Sequence, residues 1–200
     1  MIAIDATPLT EAAAGGVRRA LLLLLQGLEA LPDRPPVVLV APRAPAVDVT
    51  AFECLHVARR QALPPPLFRR WDLPGLLRRL GARVLYVPFA ATPRIGVPIV
   101  ALVHELPHVR WPGIEGRARA LRFARATRIA TRRASALCVP SHATARDLIQ
   151  ATSVAPGRVH VTGNAFDPEP WAAAVRDAQG PDVVVVGSGA GARTSLHLGA

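Results

Sequence analysis

Short, unbroken apolar runs alternate along this chain with longer segments of helical periodicity. Met1-Ile-Ala-Ile-Asp5 opens the pattern, and Val37-Val-Leu-Val-Ala41, Arg83-Val-Leu-Tyr-Val87 and Pro98-Ile-Val-Ala-Leu-Val103 repeat it. Ala136-Leu-Cys-Val139, Arg158-Val-His-Val161 and Asp182-Val-Val-Val-Val186 continue it, with Phe52 to Val57 a weaker example. Runs apolar throughout, rather than alternating, suit strands buried on both faces, as a parallel sheet requires. Between them the spacing predicts helices over Val17 to Leu31, stopped by Pro32, and over Leu67 to Leu80, kinked or divided at Pro74 and closed by Gly81. Two more are predicted over Glu115 to Ala134 and His142 to Ala151, and a short Ala-rich helix after Pro168 and Pro170. Pro64-Pro-Pro66 reads as a linker-like loop. Strands alternating with helices predict a doubly wound, Rossmann-like parallel α/β sheet. Ligands of such sheets bind at the carboxyl ends of the strands, so the loops after Asp5, Val87, Val103, Val139 and Val161 are the places to look.

Composition narrows the picture. Two hundred residues hold one α/β domain, or a domain and part of a second. With 50% apolar and 19% charged residues the chain is not of the disordered class. The candidate apolar helix stretch Ala20 to Leu25 is broken by Gln26, far short of a membrane span. Arg18-Arg19 comes too late for the charged start of a signal peptide, and Cys54 and Cys138 stand in apolar segments as small buried hydrophobes. A cytoplasmic chain is expected. The formal charge is +10, but all 24 basic residues are Arg and Asn164 is the one Asn, the imprint of a GC-rich genome. The arginines are spread over several segments with nine aromatic residues in all, so no nucleic-acid partner is expected. Anionic partners in general are favoured: phosphates, nucleotides or an acidic lipid surface.

Several motifs bear chemistry. Gly15-Gly16-Val17-Arg18 stands at a strand-loop-helix junction, where free backbone N–H groups and paired glycines suit a phosphate, or simply form a flexible helix start. His104-Glu105-Leu106-Pro107-His108 matches the zinc-peptidase pattern, which works only on a helix. It follows directly on a strand and contains Pro107, so no metal site is expected. His104 suits contact with a polar substrate, or a structural role, equally well. Val183 to Ala192 carries the dinucleotide fingerprint G-x-G-x-x-G/A, although no acidic residue can follow at the usual distance. On the long helix Arg122, Arg125, Arg128 and Arg132 share one side, either solvated or docked on anionic lipid headgroups. Asp5 is lone, and no carboxylate pair is spaced for acid/base work.

The order of these segments resembles the N-terminal half of family 4 glycosyltransferases, which have the two-Rossmann GT-B architecture. Gly15-Gly16-Val17-Arg18, the strand with His104-Glu105-Leu106 and then Arg110-Trp111-Pro112, the long helix, Ala136 to Leu148 with Ser141, and Arg158 to Pro168 with Asn164 carry the likeness. It covers about residues 1 to 168. Glu105 stands where the family usually has Asp, and Ala165 where it has Gly. Residues 169–181 then read as a linker and 182–200 as the start of a truncated second domain, whose first loop offers Arg193 and Thr194 in place of an Arg-Lys pair. The resemblance implies retaining transfer of a sugar from a nucleotide-diphosphate sugar to a glycan or lipid-linked acceptor, without cofactor or catalytic metal. His104 would be catalytic; Gly15, Gly16, Arg18, Glu105, Ser141, Asn164 and Arg193 would contact donor or substrate. The 200-residue chain alone is expected to lack turnover while keeping an acceptor pocket, with possible peripheral membrane contact. The alternatives are a flavin- or nicotinamide-dependent oxidoreductase fragment and an inactive Rossmann-like binding module.

Overall fold

The computed structural model describes residues 1–10, 15–56, 63–110 and 116–165, and the backbone of 183–184 and 195–196. Strand β1 (Ile2–Asp5) is flanked on one side by β2 (Val37–Ala41) and β3 (Glu53–His56). On its other side lie β4 (Val84–Val87), β5 (Ile99–Leu102), β6 (Ala136–Val139) and β7 (Val159–Val161). The order is β3-β2-β1-β4-β5-β6-β7, with every pairing parallel. This is the expected doubly wound Rossmann-like sheet, and residues 99 to 102 lie inside it as the apolar run required.

Helix α1 (Gly16–Glu29) links β1 to β2, while α2 (Pro65–Leu67) and α3 (Leu73–Arg79) precede β4. Helices α4 (Pro107–Arg110) and α5 (Arg117–Arg133) link β5 to β6, and α6 (His142–Thr152) links β6 to β7. Strand order runs one way from β1 to β3 and the other way from β4 to β7, so right-handed crossovers place α1 on one face and the later helices on the opposite face. The core divides accordingly. Ile4, Leu39 and Ala41 pack with Leu21 and Leu25 of α1. Ala3, Val38, Leu85, Ala101 and Leu137 point the other way, among Phe68, Leu73, Leu77, Ala130 and Leu148. Alternate residues of each apolar run thus meet different helices, which is why no polar position interrupts them.

Two local readings change. Pro65 and Pro66 are not linker: they open α2, since a helix's first turn needs no proline N–H. Pro74 does not break its helix either. It cannot donate to the carbonyl one turn back, and the chain instead widens into a π-turn at Phe68–Asp72, closed by the Leu73 N–H on the Phe68 carbonyl. Gly81 ends α3 as expected, at φ +58°. Its N–H bonds the Arg78 carbonyl and the Ala82 N–H bonds the Leu77 carbonyl, a left-handed cap that glycine adopts without steric cost.

Helix α5 buries Thr127, Ala130 and Thr131 and leaves Arg128 and Arg132 exposed. Its last carbonyls are satisfied from outside. The Arg158 Nη2 donates to the Thr131 oxygen at 2.8 Å and also to the Ala134 oxygen. Farther along, Val183–Val184 pairs antiparallel with Ser195–Leu196. The remainder of the Val183 run, the fingerprint glycines and Arg193 lie outside the described residues. No helix among the described residues is long and apolar enough to cross a membrane.

Candidate functional site

Strand order reverses between β1 and β4, and the crevice at such a reversal is where open α/β sheets bind ligands. The register sets Ile4 beside Tyr86, so Asp5 emerges at the level of Val87 and Pro88. Asp5 is fully buried, and it is not lone. Its Oδ1 accepts the Thr7 N–H at 3.0 Å and the Thr7 hydroxyl, and its Oδ2 accepts the Arg69 Nε–H at 2.7 Å. Arg69 comes from the π-turn, and its guanidinium lies 4.3 Å from the centroid of the Phe89 ring, just past β4. A carboxylate so fully engaged positions its neighbours. It ties the carboxyl end of β1 to the π-turn and, through Arg69, to the loop after β4.

His104 lies two residues beyond β5, half-buried, with its Nε2 3.1 Å from the Pro88 carbonyl oxygen. A carbonyl can only accept, so Nε2 carries a proton and donates it, and in the uncharged ring the lone pair is then on Nδ1. One nitrogen thus anchors the ring to the crevice wall, and the other offers an acceptor to a hydroxyl. Glu105 beside it is exposed. His104, Glu105 and Leu106 lie outside any helix, and Pro107 begins α4 rather than interrupting one, so the two histidines do not share a helical face. Among the described residues no three His, Cys, Asp or Glu side chains converge as metal ligands would. The Arg110 Nε donates to the Asp147 Oδ2 at 2.5 Å, which fastens α4 to α6 and fixes the far end of the His104 segment.

Gly15 and Gly16 begin α1, both exposed, and Gly15 caps the helix without any side-chain hydrogen bond. Among the described residues, a Cβ at either position would meet nothing within 4 Å, so neither their packing nor the backbone conformation demands glycine there. The open approach to the first-turn N–H groups is what the two glycines preserve. Arg18 is half-buried in that turn. Ser141 follows β6 and caps α6: its Oγ accepts the Thr144 N–H at 3.2 Å. Asn164 is exposed, three residues past β7. Gly15 and Gly16 thus follow β1, and His104 and Glu105 follow β5, the two strands that flank β4. Ser141 and Asn164 follow the outer strands β6 and β7, and Arg193 lies outside the described residues.

Sequence reading missed a cleft of about 650 Å³ between the π-turn, the loop after β4 and α5. Arg69, Arg70, Arg94, Arg122, Arg125 and Arg133 line it together with Trp71 and Thr92. Its one visible signal was the Arg69-Arg70-Trp71 triplet, an aromatic beside two cations.

The sequence profile of Glycosyltransferase Family 4 matches residues 14–170. No curated protein matches the chain significantly. Among solved structures, Anabaena Alr3699/HepE in complex with UDP and glucose aligns with a TM-score of 0.54 at 18% identity, over 84% of this chain and 45% of HepE. WaaG, a glycosyltransferase involved in lipopolysaccharide biosynthesis, aligns with a TM-score of 0.56 at 14% identity, over 80% of this chain and 44% of WaaG. The chain thus spans less than half the length of either structure.

Proposed function

The chain belongs to glycosyltransferase family 4, and from that premise we propose that its sheet is the acceptor-side half of a retaining transferase using nucleotide-diphosphate sugars. The observation that carries this reading is His104, anchored through Nε2 at the strand-order reversal with Nδ1 left as an acceptor. In the transfer, the bond between the sugar's anomeric carbon and the diphosphate breaks, a bond to the acceptor oxygen forms on the same face, and the acceptor hydroxyl's proton passes to the departing diphosphate. Negative charge grows on the leaving diphosphate. The open amides at Gly15 and Gly16 are suited to stabilise it, with Arg18 in the same turn and Arg193 from the segment beyond the described residues. His104 Nδ1 accepts from a hydroxyl of the sugar or of the acceptor, and Glu105, Ser141 and Asn164 are the remaining contacts along the carboxyl edge. HepE, whose complexes contain UDP, glucose and UDP-glucose, supports a nucleotide sugar as donor. In this reading the acceptor is a glycan or a lipid-linked glycan, reached from the cytoplasm. With a lipid-linked acceptor, the exposed Arg128 and Arg132 face the membrane surface. The oxidoreductase alternative rested on residues 183 to 192, whereas the family match spans residues 14–170.

The test is transfer by the protein purified at its native length from the organism that makes it. It is given a panel of nucleotide-diphosphate sugars and of glycan and lipid-linked acceptors. A glycosylated product is expected by mass spectrometry, and His104→Ala should lower its rate by roughly 10²–10³ with an unchanged melting temperature. No product from any donor, or full activity in His104→Ala, would contradict the assignment.

A further inference from the structure

The arginine-lined cleft is not used by the chemistry just described. We propose that it is an anion site that seats a phosphate or diphosphate group carried by the acceptor; naming the acceptor class in this way rests on the transferase reading. Three observations converge on it. First, Arg70, Arg94, Arg122 and Arg125 are brought from three separate segments to one cleft whose lining, among the described residues, includes no Asp or Glu. Like charges gathered without an acid repel one another, and a bound polyanion relieves that repulsion while accepting forked hydrogen bonds. Arg69 lines the same cleft, but its charge is balanced by Asp5. Second, Thr92 is 5% exposed, and its Oγ1 is buried without a hydrogen-bond partner among the described residues. The Thr92 carbonyl is held at 3.0 Å by the Arg133 Nη1, which fixes the backbone and leaves the hydroxyl as a spare donor in the wall. Buried hydroxyls are almost always bonded, so a small rotation of this one toward the cleft on binding would give it an anionic oxygen as partner. Third, Trp71 lies on the cleft lining and is 64% exposed. An exposed aromatic face beside a phosphate site suits the sugar ring or apolar chain attached to that phosphate. A volume of about 650 Å³ holds such a group and its first attached unit.

The site is joined to the transfer crevice by Arg69, which lines the cleft and bonds Asp5 at the end of β1. An acceptor held here by its phosphate is therefore presented next to the edge where His104 stands.

The probe is inorganic pyrophosphate, titrated into the purified protein by calorimetry at low ionic strength. Saturable one-site binding is expected, weakened about tenfold or more in Arg122→Gln/Arg125→Gln. Thr92→Val should weaken it as well, which a diffuse basic surface would not show. His104→Ala should leave it unchanged, so this outcome is read independently of transfer. Competition then separates two sources of the same phosphate. A soluble sugar 1-phosphate competing as well as a prenyl diphosphate in phosphatidylcholine vesicles supports the site with a free phosphorylated sugar. A prenyl diphosphate competing at least tenfold better supports it with a lipid-linked one. Binding that survives both the double glutamine variant and Thr92→Val, or that UDP alone displaces with loss in His104→Ala, overturns the proposal. Failure of the transfer assay with pyrophosphate binding intact would leave this site standing and remove only its link to an acceptor.

Discussion

At Asp5 and Arg69 a buried carboxylate and a nearly buried guanidinium, 13% exposed, depend on each other. Removing one partner leaves the other desolvated and unpaired, which costs about 3–5 kcal/mol in comparable pairs. Arg69→Met is therefore expected to lower the unfolding free energy by that amount in urea titration. Adding Asp5→Asn should recover much of it, because the stranded charge is then gone. A loss below about 1 kcal/mol in the single variant would mean that Asp5 is stabilised chiefly by Thr7. The same pair shows a boundary of sequence reading. Asp5 looked lone because its partner is 64 positions away, and nothing local in a Phe-Arg-Arg-Trp segment announces which arginine turns inward. His104 was legible as a residue at a strand end, since the apolar run before it is unmistakable. Its tautomer was not, because that depends on the Pro88 carbonyl of a neighbouring strand.

Among the elements, the strands were readable for a simple reason. Both faces of the sheet carry core, so Val37–Ala41 and Ile99–Leu102 are apolar at every position. Helix ends were harder, because capping depends on backbone conformation that residue type alone does not fix. Ser141 holds the first turn of α6, and Ser153 ends that helix at φ 54°, a left-handed conformation costly for any residue with a Cβ. The two serines should respond oppositely to substitution. Ser141→Ala is expected to cost about 1 kcal/mol, and Ser153→Gly to gain up to about 1 kcal/mol, both measured as shifts in urea midpoint at constant slope. A loss on Ser153→Gly would mean that its hydroxyl, rather than its backbone, matters. The π-turn could not be foreseen from Pro74 alone, since a proline there is equally compatible with a break or a kink. The wider turn is the solution that keeps the Phe68 carbonyl bonded while carrying Arg69 toward Asp5.

For the whole molecule, charge that is dispersed along the sequence is not dispersed in space. Arginines spread over several segments, Arg70 and Arg94 among them, are collected with Arg122 of α5 into one cleft by the π-turn and the loop after β4. A second global property is the response to alkali. Burial pushes the Cys54 and Cys138 thiols above their ordinary 9.0 and the Tyr86 phenol well above its ordinary 10.0, with Cys138 adding to the effect on Tyr86. A folded-state value raised in this way contributes stability below the ordinary value, which disappears as pH climbs through the raised one. Stability should therefore be flat from neutrality to about pH 8.5 and fall steadily above pH 9. Urea midpoints across that range check it, and a flat profile to pH 11 would show that these groups are solvated.

In the proposed reading, sugar transfer is organised at the carboxyl edge of β1, β4 and β5, with His104 donating through Nε2. Heteronuclear NMR of the ¹⁵N-labelled chain, titrated with a nucleotide sugar and an acceptor, tests it most directly. His104 is expected to carry a proton on Nε2, with ligand-dependent shifts concentrated at His104 and the Gly16, Val17 and Arg18 amides. A proton on Nδ1 alone, or shifts confined to the opposite edge around Gly81 and Arg83, would contradict it.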